Sequence, residues 1–280
     1  MRKLEFVKMH GIGNDFVLAD SVTNGIPDVD LKDLAIRICD RNFGVGADGL
    51  LLVLPSEIAD YRMRLINRDG SEAEMCGNGI RVFAKYLYDR GMVGETAEIE
   101  TLAGIKTIQL EVKNGKAIGA TVGMGKPRLR AEDIPVIGYE GEVVNRRLDV
   151  EGESLQITCV SMGNPHCVVF VQSTDEVPVE TLGPKIEKHP VFPQGTNVEF
   201  VEVIGPTELK MRVWERGAGM TMACGTGACS SVVAGVLNGL CERRATVHLP
   251  GGNLFIDWQE NDEIFMTGPA EEVFVGKYMY

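Results

Sequence analysis

Residues 67–79 read NRDGSEAEMCGNG, and residues 215–227 read ERGAGMTMACGTG. Asn67 stands nine residues before Cys76, and Glu215 nine before Cys224. The two cysteines are 148 residues apart, and Gly79 with Gly227 and Gly91 with Gly239 keep that offset. Further upstream, Gly13-Asn14-Asp15-Phe16 faces Gly163-Asn164-Pro165-His166 at an offset of 150. Two copies at low identity are an old duplication rather than a solenoid, and predict two pseudo-symmetric domains. Each Cys-Gly-x-Gly opens a helical pattern. Residues 78–90 put apolar side chains at 80, 83, 84 and 87, one helical face, and Gly91 supplies the stop. Residues 227–238 are apolar nearly all round, which predicts a buried helix closed by Gly239. Residues 29–41 read as a surface helix and VETLGPKIEK as a shorter one. Most other segments favour strands: LEFVKMHG, GLLLVL, YRMRLIN, AEIETL and IKTIQLEV in the first half, QITCVSM, HCVVFV, NVEFVEV, ELKMRVWE and LFIDW in the second. The expected class is α+β, each half strand-rich with one central helix. The boundary is expected within 119–130, near Gly123, Gly125 and Pro127, giving halves 1–124 and 125–268. The strand-like 269–280 is free to return to the first.

The chain of 280 residues has 44% hydrophobic and 24% charged residues, enough for a sizeable core. Lys and Arg number 28 against 40 acids, a net charge of −12. General nucleic-acid and anionic-membrane binding need the opposite sign. The start, MRKLEFVKMHG, lacks the apolar stretch of an export signal, and no run is long enough to span a bilayer. Seven scattered cysteines without a C-x-x-C pair argue against a disulfide framework and a zinc ribbon. The expected setting is a reducing cytoplasm, with no metal.

Cys76 and Cys224 stand where a strand-rich segment meets a helix start. There, unpaired N–H groups and the aligned peptide dipoles favour negative charge, so ionisation should be easier than for a free thiol. The following glycines let an anion approach the backbone donors. Free cysteine is commonly a small buried hydrophobe, but the repeat of the whole motif favours chemistry. Two opposed thiols, one ionised, could remove a proton from one face of a carbon and return one to the other, inverting a stereocentre without a cofactor.

These residues carry a resemblance to the diaminopimelate epimerase family. HGIGNDF (10–16), NRDGSEAEMCGNGIR (67–81), MGNPHCV (162–168), GTNVEF (195–200) and WERGAGMTMACGTGA (214–228) match it nearly end to end. The resemblance implies interconversion of LL- and meso-diaminopimelate, on the path to lysine and peptidoglycan, by a cofactor-independent two-base mechanism. It implies Cys76 and Cys224 as the bases, with Gly77, Asn78, Gly225 and Thr226 holding the reacting α-carboxylate. Asn67, Asn164, Asn197, Glu215 and Arg216 would grip the distal amino-acid end, with Asn14 near the reacting one. His166 and Glu215 would tune the thiols. It also implies two halves, each a curved mixed sheet or barrel around a central helix, a site in the cleft between them, and a homodimer. Some family members have glutamine where this chain has Gly49, so that contact reduces to backbone or vanishes.

Other signals are discounted. Gly44-Val-Gly46-Ala-Asp-Gly49 fits the dinucleotide fingerprint, yet a helix-like segment precedes it and a strand follows, the reverse of what nucleotide binding needs. Cys229, about 140° round the helix from Cys224, should face the core. Cys39, Cys159, Cys167 and Cys241 take the same bland reading, and His10, His189 and His248 carry no motif. Rival functions are another amino-acid racemase, a hydrolase in which His166 activates Cys224, and an amino-acid receptor. The hydrolase leaves the duplicated cysteine idle, and the receptor needs no thiols.

Overall fold

The repeat of the sequence becomes a repeat of topology in the structure, a computed structural model that describes residues 3–25 and 29–280. Met1 and Arg2, at the start of the segment read for an export signal, lie outside the described residues. The chain divides into two units, residues 1–123 with 267–280 and residues 124–266.

In the first unit β1 (Lys3–Gly11) and β2 (Asn14–Asp20) form an antiparallel pair, followed by the one-turn α1 (Ser21–Asn24) and by α2 (Leu31–Cys39). Asp30 caps α2 by accepting from Lys32 N–H, and the helix buries Leu34, Ala35, Ile38 and Cys39. β3 (Gly49–Leu54) returns parallel to β2, and β4 (Tyr61–Asn67) runs back antiparallel to it. GLLLVL is buried at every position because α2 packs on β3 from one side and the next helix from the other. After the short β5 (Glu72–Ala73), α3 (Gly77–Asp89) starts at Cys76 and packs on β1, β2, β3, β4 and β7. Ile80, Phe83, Ala84 and Leu87, the predicted apolar face, are fully buried. β6 (Thr96–Thr101), β7 (Gly104–Lys113) and β8 (Lys116–Gly125) complete an antiparallel run.

The second unit repeats this order. β9 (Arg146–Val150) pairs with β10 (Glu153–Ser161), which pairs with β11 (Pro165–Val171). α4 (Val179–Glu187) stands in the place of α2, and β12 (Asn197–Gly205) returns parallel to β11. β13 (Glu208–Glu215), the short β14 (Gly219–Met220) and α5 (Gly225–Leu237) follow. α5 is the central helix here, touching β10, β11, β12, β13, β15 and β16. β15 (Arg244–Leu249), β16 (Gly252–Trp258) and β17 (Ile264–Pro269) end the run. β18 (Glu271–Met279) then pairs antiparallel with β1, from Lys3 opposite Met279 to His10 opposite Glu271. A Cβ on Gly276 would lie 2.5 Å from Phe6 Cζ, so glycine there lets the ring lie across the strand.

Candidate active site

Both motif cysteines are helix N-caps with extended backbone, at φ −140° for Cys76 and −131° for Cys224. In the first unit Cys76 Sγ accepts from Gly79 N–H at 3.4 Å and donates to Asn14 Oδ1 at 3.7 Å. Asn14, the first residue of β2, is held in turn by Asp48, whose Oδ2 accepts its Nδ2–H at 2.7 Å. Arg41 clamps Asp48 and Asp15, and Lys8 ion-pairs with Asp15. Asn78 donates to Asn14 Oδ1 at 3.2 Å, and the fully buried Arg81 donates to Asn78 Oδ1 at 2.8 Å. Asn67 lies at the end of β4 opposite Gly49, its Nδ2 donating to Ser71 Oγ at 3.0 Å. A Cβ at Gly49 would lie 2.8 Å from Leu65 Cδ1 and 3.0 Å from the Ile66 carbonyl oxygen, so a larger residue there would require Leu65 to shift.

The fingerprint glycines have a packing role. Val45 and Gly46 N–H groups close on the Ile38 carbonyl, and a Cβ on Gly44 would fall 2.2 Å from the Arg37 carbonyl oxygen. They seal the end of α2.

In the second unit Cys224 is buried, with Sγ 3.6 Å from Thr226 Oγ1. Asn164 donates to Thr226 Oγ1 at 3.3 Å, and its Oδ1 lies 3.1 Å from His166 Nε2. The register puts His166 opposite Asn197 across the parallel pair of β11 and β12. Asn197 spans two segments: Nδ2 donates to the Pro165 carbonyl at 2.9 Å, and Oδ1 accepts Arg216 N–H at 2.9 Å. The exposed Arg216 donates Nη1–H to the Gln194 carbonyl at 3.1 Å. Glu215 accepts the Thr221 hydroxyl at 2.5 Å. Cys76, Gly77, Asn78 and Asn14 thus cluster in one unit, with Asn67 at its strand end. Cys224, Gly225, Thr226, Asn164, His166, Asn197, Glu215 and Arg216 cluster in the other.

One expectation is corrected. The helix start was to ease ionisation, yet the Cys224 thiol is pushed well above its ordinary range, first by burial and then by Glu215 and Glu199. The Thr226 hydroxyl and Gly227 N–H pull the other way and lose. A helix start stabilises a charge by about 0.3–1 kcal/mol. Full burial moves a pKa by up to about 3–5 units, each worth about 1.4 kcal/mol. Burial also pushes the Glu215 carboxyl up, against the Thr221 hydroxyl and His166.

Glu199 escaped the sequence reading. It is fully buried on β12 and takes His166 Nδ1 at 2.7 Å. The available signal was an acid two residues after Asn197, hence on the same strand face, inside the apolar run NVEFV. Among the described residues no group of three or more His, Cys, Asp or Glu side chains could hold a metal ion. No helix among them is long and apolar enough to cross a membrane.

Known proteins share both sequence and architecture with this chain. The solved structure of a PhzF-family phenazine biosynthesis protein from Bacillus anthracis superposes with a TM-score of 0.73 at 19% identity, covering 100% of both chains. A hydroxyproline epimerase from Agrobacterium vitis gives 0.72 at 15% identity, over 99% of this chain and 92% of that one. These likenesses show the fold, two duplicated sheet-and-helix domains. A diaminopimelate epimerase of Pelotomaculum thermopropionicum is 57% identical, over 99% of each chain. Another from Desulfitobacterium hafniense is 56% identical, over 98% of this chain and 97% of that one. The pattern of that family, "Diaminopimelate epimerase", matches residues 6–130 and 158–273. The chain therefore belongs to the diaminopimelate epimerase family and is an isomerase.

Proposed function

We propose that this protein interconverts LL- and meso-2,6-diaminopimelate, supplying lysine and peptidoglycan precursors, with Cys76 and Cys224 as a pair of bases and no cofactor. The observation that carries the reading is the matched placement of two cysteines as N-caps of the two central helices, each followed by Gly-x-Gly. The ionised sulfur takes the α-proton from one face, and the bond electrons pass into the carboxylate. The protonated sulfur gives its own proton to the opposite face, so the configuration inverts and the two sulfurs exchange states. Backbone N–H groups at Gly77, Asn78, Gly225 and Thr226 would meet the charge that builds on the carboxylate, which is where helix starts favour anions. Asn67, Asn164, Asn197, Glu215 and Arg216 would hold the distal head group: Arg216 its carboxylate, Glu215 its ammonium, the asparagines either. The hydrolase rival fares worse, because both ring nitrogens of His166 are engaged, by Glu199 and Asn164 rather than by Cys224.

The cytoplasm is the proposed location and a homodimer the proposed working form. Proton NMR of LL-diaminopimelate in D₂O with the reduced protein tests the chemistry. Loss of the α-proton signal with appearance of the meso isomer is expected. Cys76→Ala and Cys224→Ala should each abolish net epimerisation, a fall of at least about 10³-fold if each sulfur is one of two obligatory proton carriers. Retained turnover in either variant overturns the two-base reading.

A further inference from the structure

Beside Cys76 the hydrogen-bond chain is fixed at both ends. Arg81 donates to Asn78 Oδ1, Asn78 Nδ2 donates to Asn14 Oδ1, and Asn14 Nδ2 donates to Asp48 Oδ2. A guanidinium only donates and a carboxylate only accepts. Neither amide can turn over, so an acceptor oxygen always faces the Cys76 thiol.

The second unit keeps the frame and changes the ends. The offsets of the repeat put Asn164 in the place of Asn14, Thr226 in that of Asn78, His166 in that of Phe16 and Glu199 in that of Leu51. Here the asparagine amide faces the opposite way, its nitrogen toward Thr226 and its oxygen toward His166. What holds it is a titratable ring instead of a fixed charge. Behind the ring, Glu199 lies against the first turn of α5, where a Cβ on Gly227 would meet its Oε1 at 2.8 Å. Its Oε2 is buried without a hydrogen-bond partner among the described residues. An acid left in that state is costly, and the hydrogen bond Glu199 does make runs through Oε1 to His166 Nδ1.

We propose that Glu199 is a positioning residue that fixes a proton on His166 Nδ1, so that the charge of His166 decides whether a hydroxyl proton or a lone pair faces the Cys224 sulfur. Ionised Glu199 only accepts, so Nδ1 carries hydrogen in both charge states and Nε2 is the nitrogen that titrates. With Nε2 protonated, the ring donates to Asn164 Oδ1 and Asn164 Nδ2 donates to Thr226 Oγ1. The single hydroxyl proton of Thr226 is then free to meet a thiolate at Cys224, 3.6 Å away. With Nε2 bare, the Asn164 amide turns to donate to it and its oxygen takes the Thr226 proton. A lone pair then faces Cys224, which sits as the thiol. A proton on Nε2 and a proton on Cys224 therefore disfavour each other, although none travels along the chain. The other ionisable groups facing this chain are Glu215, which acts on both Cys224 and His166, and Cys167, beside Glu199. The first unit has Phe16 and Leu51 at the corresponding places, and neither side chain can carry a proton.

This inference rests on the reading of Cys224 as a base, and the test separates the two. Protein labelled with ¹⁵N-histidine and [3-¹³C]cysteine is titrated by NMR, with His166 assigned from His166→Gln and Cys224 from Cys224→Ala. Neutral His166 is expected as the Nδ1–H tautomer, the minor form of free imidazole, with the Cys224 Cβ signal shifting across the His166 titration. In Glu199→Gln the amide can donate or accept, so the Nε2–H tautomer should become populated and the Cys224 shift at the His166 titration should be lost. A wild-type neutral ring protonated at Nε2 overturns the proposal, and that result needs no variant to fold. A Cys224 signal that still follows His166 unchanged in Glu199→Gln overturns it as well. Epimerisation is assayed on the same samples: an active wild type with the wrong tautomer sinks only this inference, and an inactive one with the expected tautomer sinks only the reading of function.

Discussion

Ionisable side chains inside this protein are held away from their solution behaviour, and the sign of each displacement fixes a pH dependence. Burial pushes the thiols of Cys39 up to about 12 and of Cys241 to about 11. The folded chain therefore keeps protons that the unfolded chain releases once pH rises through about 9, and stability must fall with pH from there. Asp15 has the opposite sign. Burial raises it, but hydrogen bonds and charge from Arg41 and Lys8 outweigh that and lower it below the usual carboxylate range. Its contribution is present above the unfolded value of about 4 and is lost as pH falls below it. Urea unfolding at pH 3, 7 and 10 should give the highest midpoint at 7, and a midpoint at pH 10 equal to that at 7 would contradict the thiol assignment. At this scale the sequence was legible where a motif repeats, as at Cys76 and Cys224. It was opaque at Glu199, because an acid within a strand normally marks the solvent face and only the helix lying over that face reverses the meaning.

Elements carry the site through contacts that no motif announces. α4 packs on β13 so closely that a Cβ on Gly183 would fall 2.6 Å from Trp214 Cβ. Glu187, at the end of the same helix, accepts Trp214 Nε1–H at 2.7 Å and Gly217 N–H at 3.1 Å, pinning the turn that carries Arg216. Alanine at a helical glycine gains about 1 kcal/mol of propensity, but overpacking against an anchored ring costs about 1–3 kcal/mol. Trp214 Cβ is fixed to its strand and cannot yield, so the clash should win. Gly183→Ala is expected to unfold at lower urea concentration, and an unchanged or higher midpoint would show that α4 shifts freely. Periodicity located this helix, including its internal Pro184, and both central helices within two residues. β2, β5, β8, β9, β14, β15 and β17 were missed, since glycine-containing or mixed-polarity runs become strands only when a neighbour supplies their hydrogen bonds.

For the molecule as a whole, β18 leaves an apolar surface uncovered. Val273, Phe274, Val275 and Met279 are 54%, 46%, 65% and 52% exposed. Exposed apolar side chains such as Val275 and Met279, which share one face of the strand, offer a surface for association, which supports the homodimer proposed above. Light scattering coupled to size exclusion should give twice the chain mass, and Val275→Glu should shift it toward one chain mass without unfolding the protein. A monomer in the wild type would refute the dimer.

The sequence by itself determined the duplication, the two helix-capping cysteines and the family, because these depend on residue types at fixed spacing along the chain. Spacing also implies which positions in the two halves correspond, so it implicitly pairs His166 with Phe16 and Asn164 with Asn14. What the tertiary structure decided is how those equivalent places differ in effect. The same cysteine motif meets an acceptor locked between Arg81 and Asp48 in one unit, and a hydroxyl backed by His166 and Glu199 in the other. The reason is physical: the state of a buried thiol depends on desolvation and on the direction of its hydrogen bonds, and both are set by side chains brought to it from distant strands.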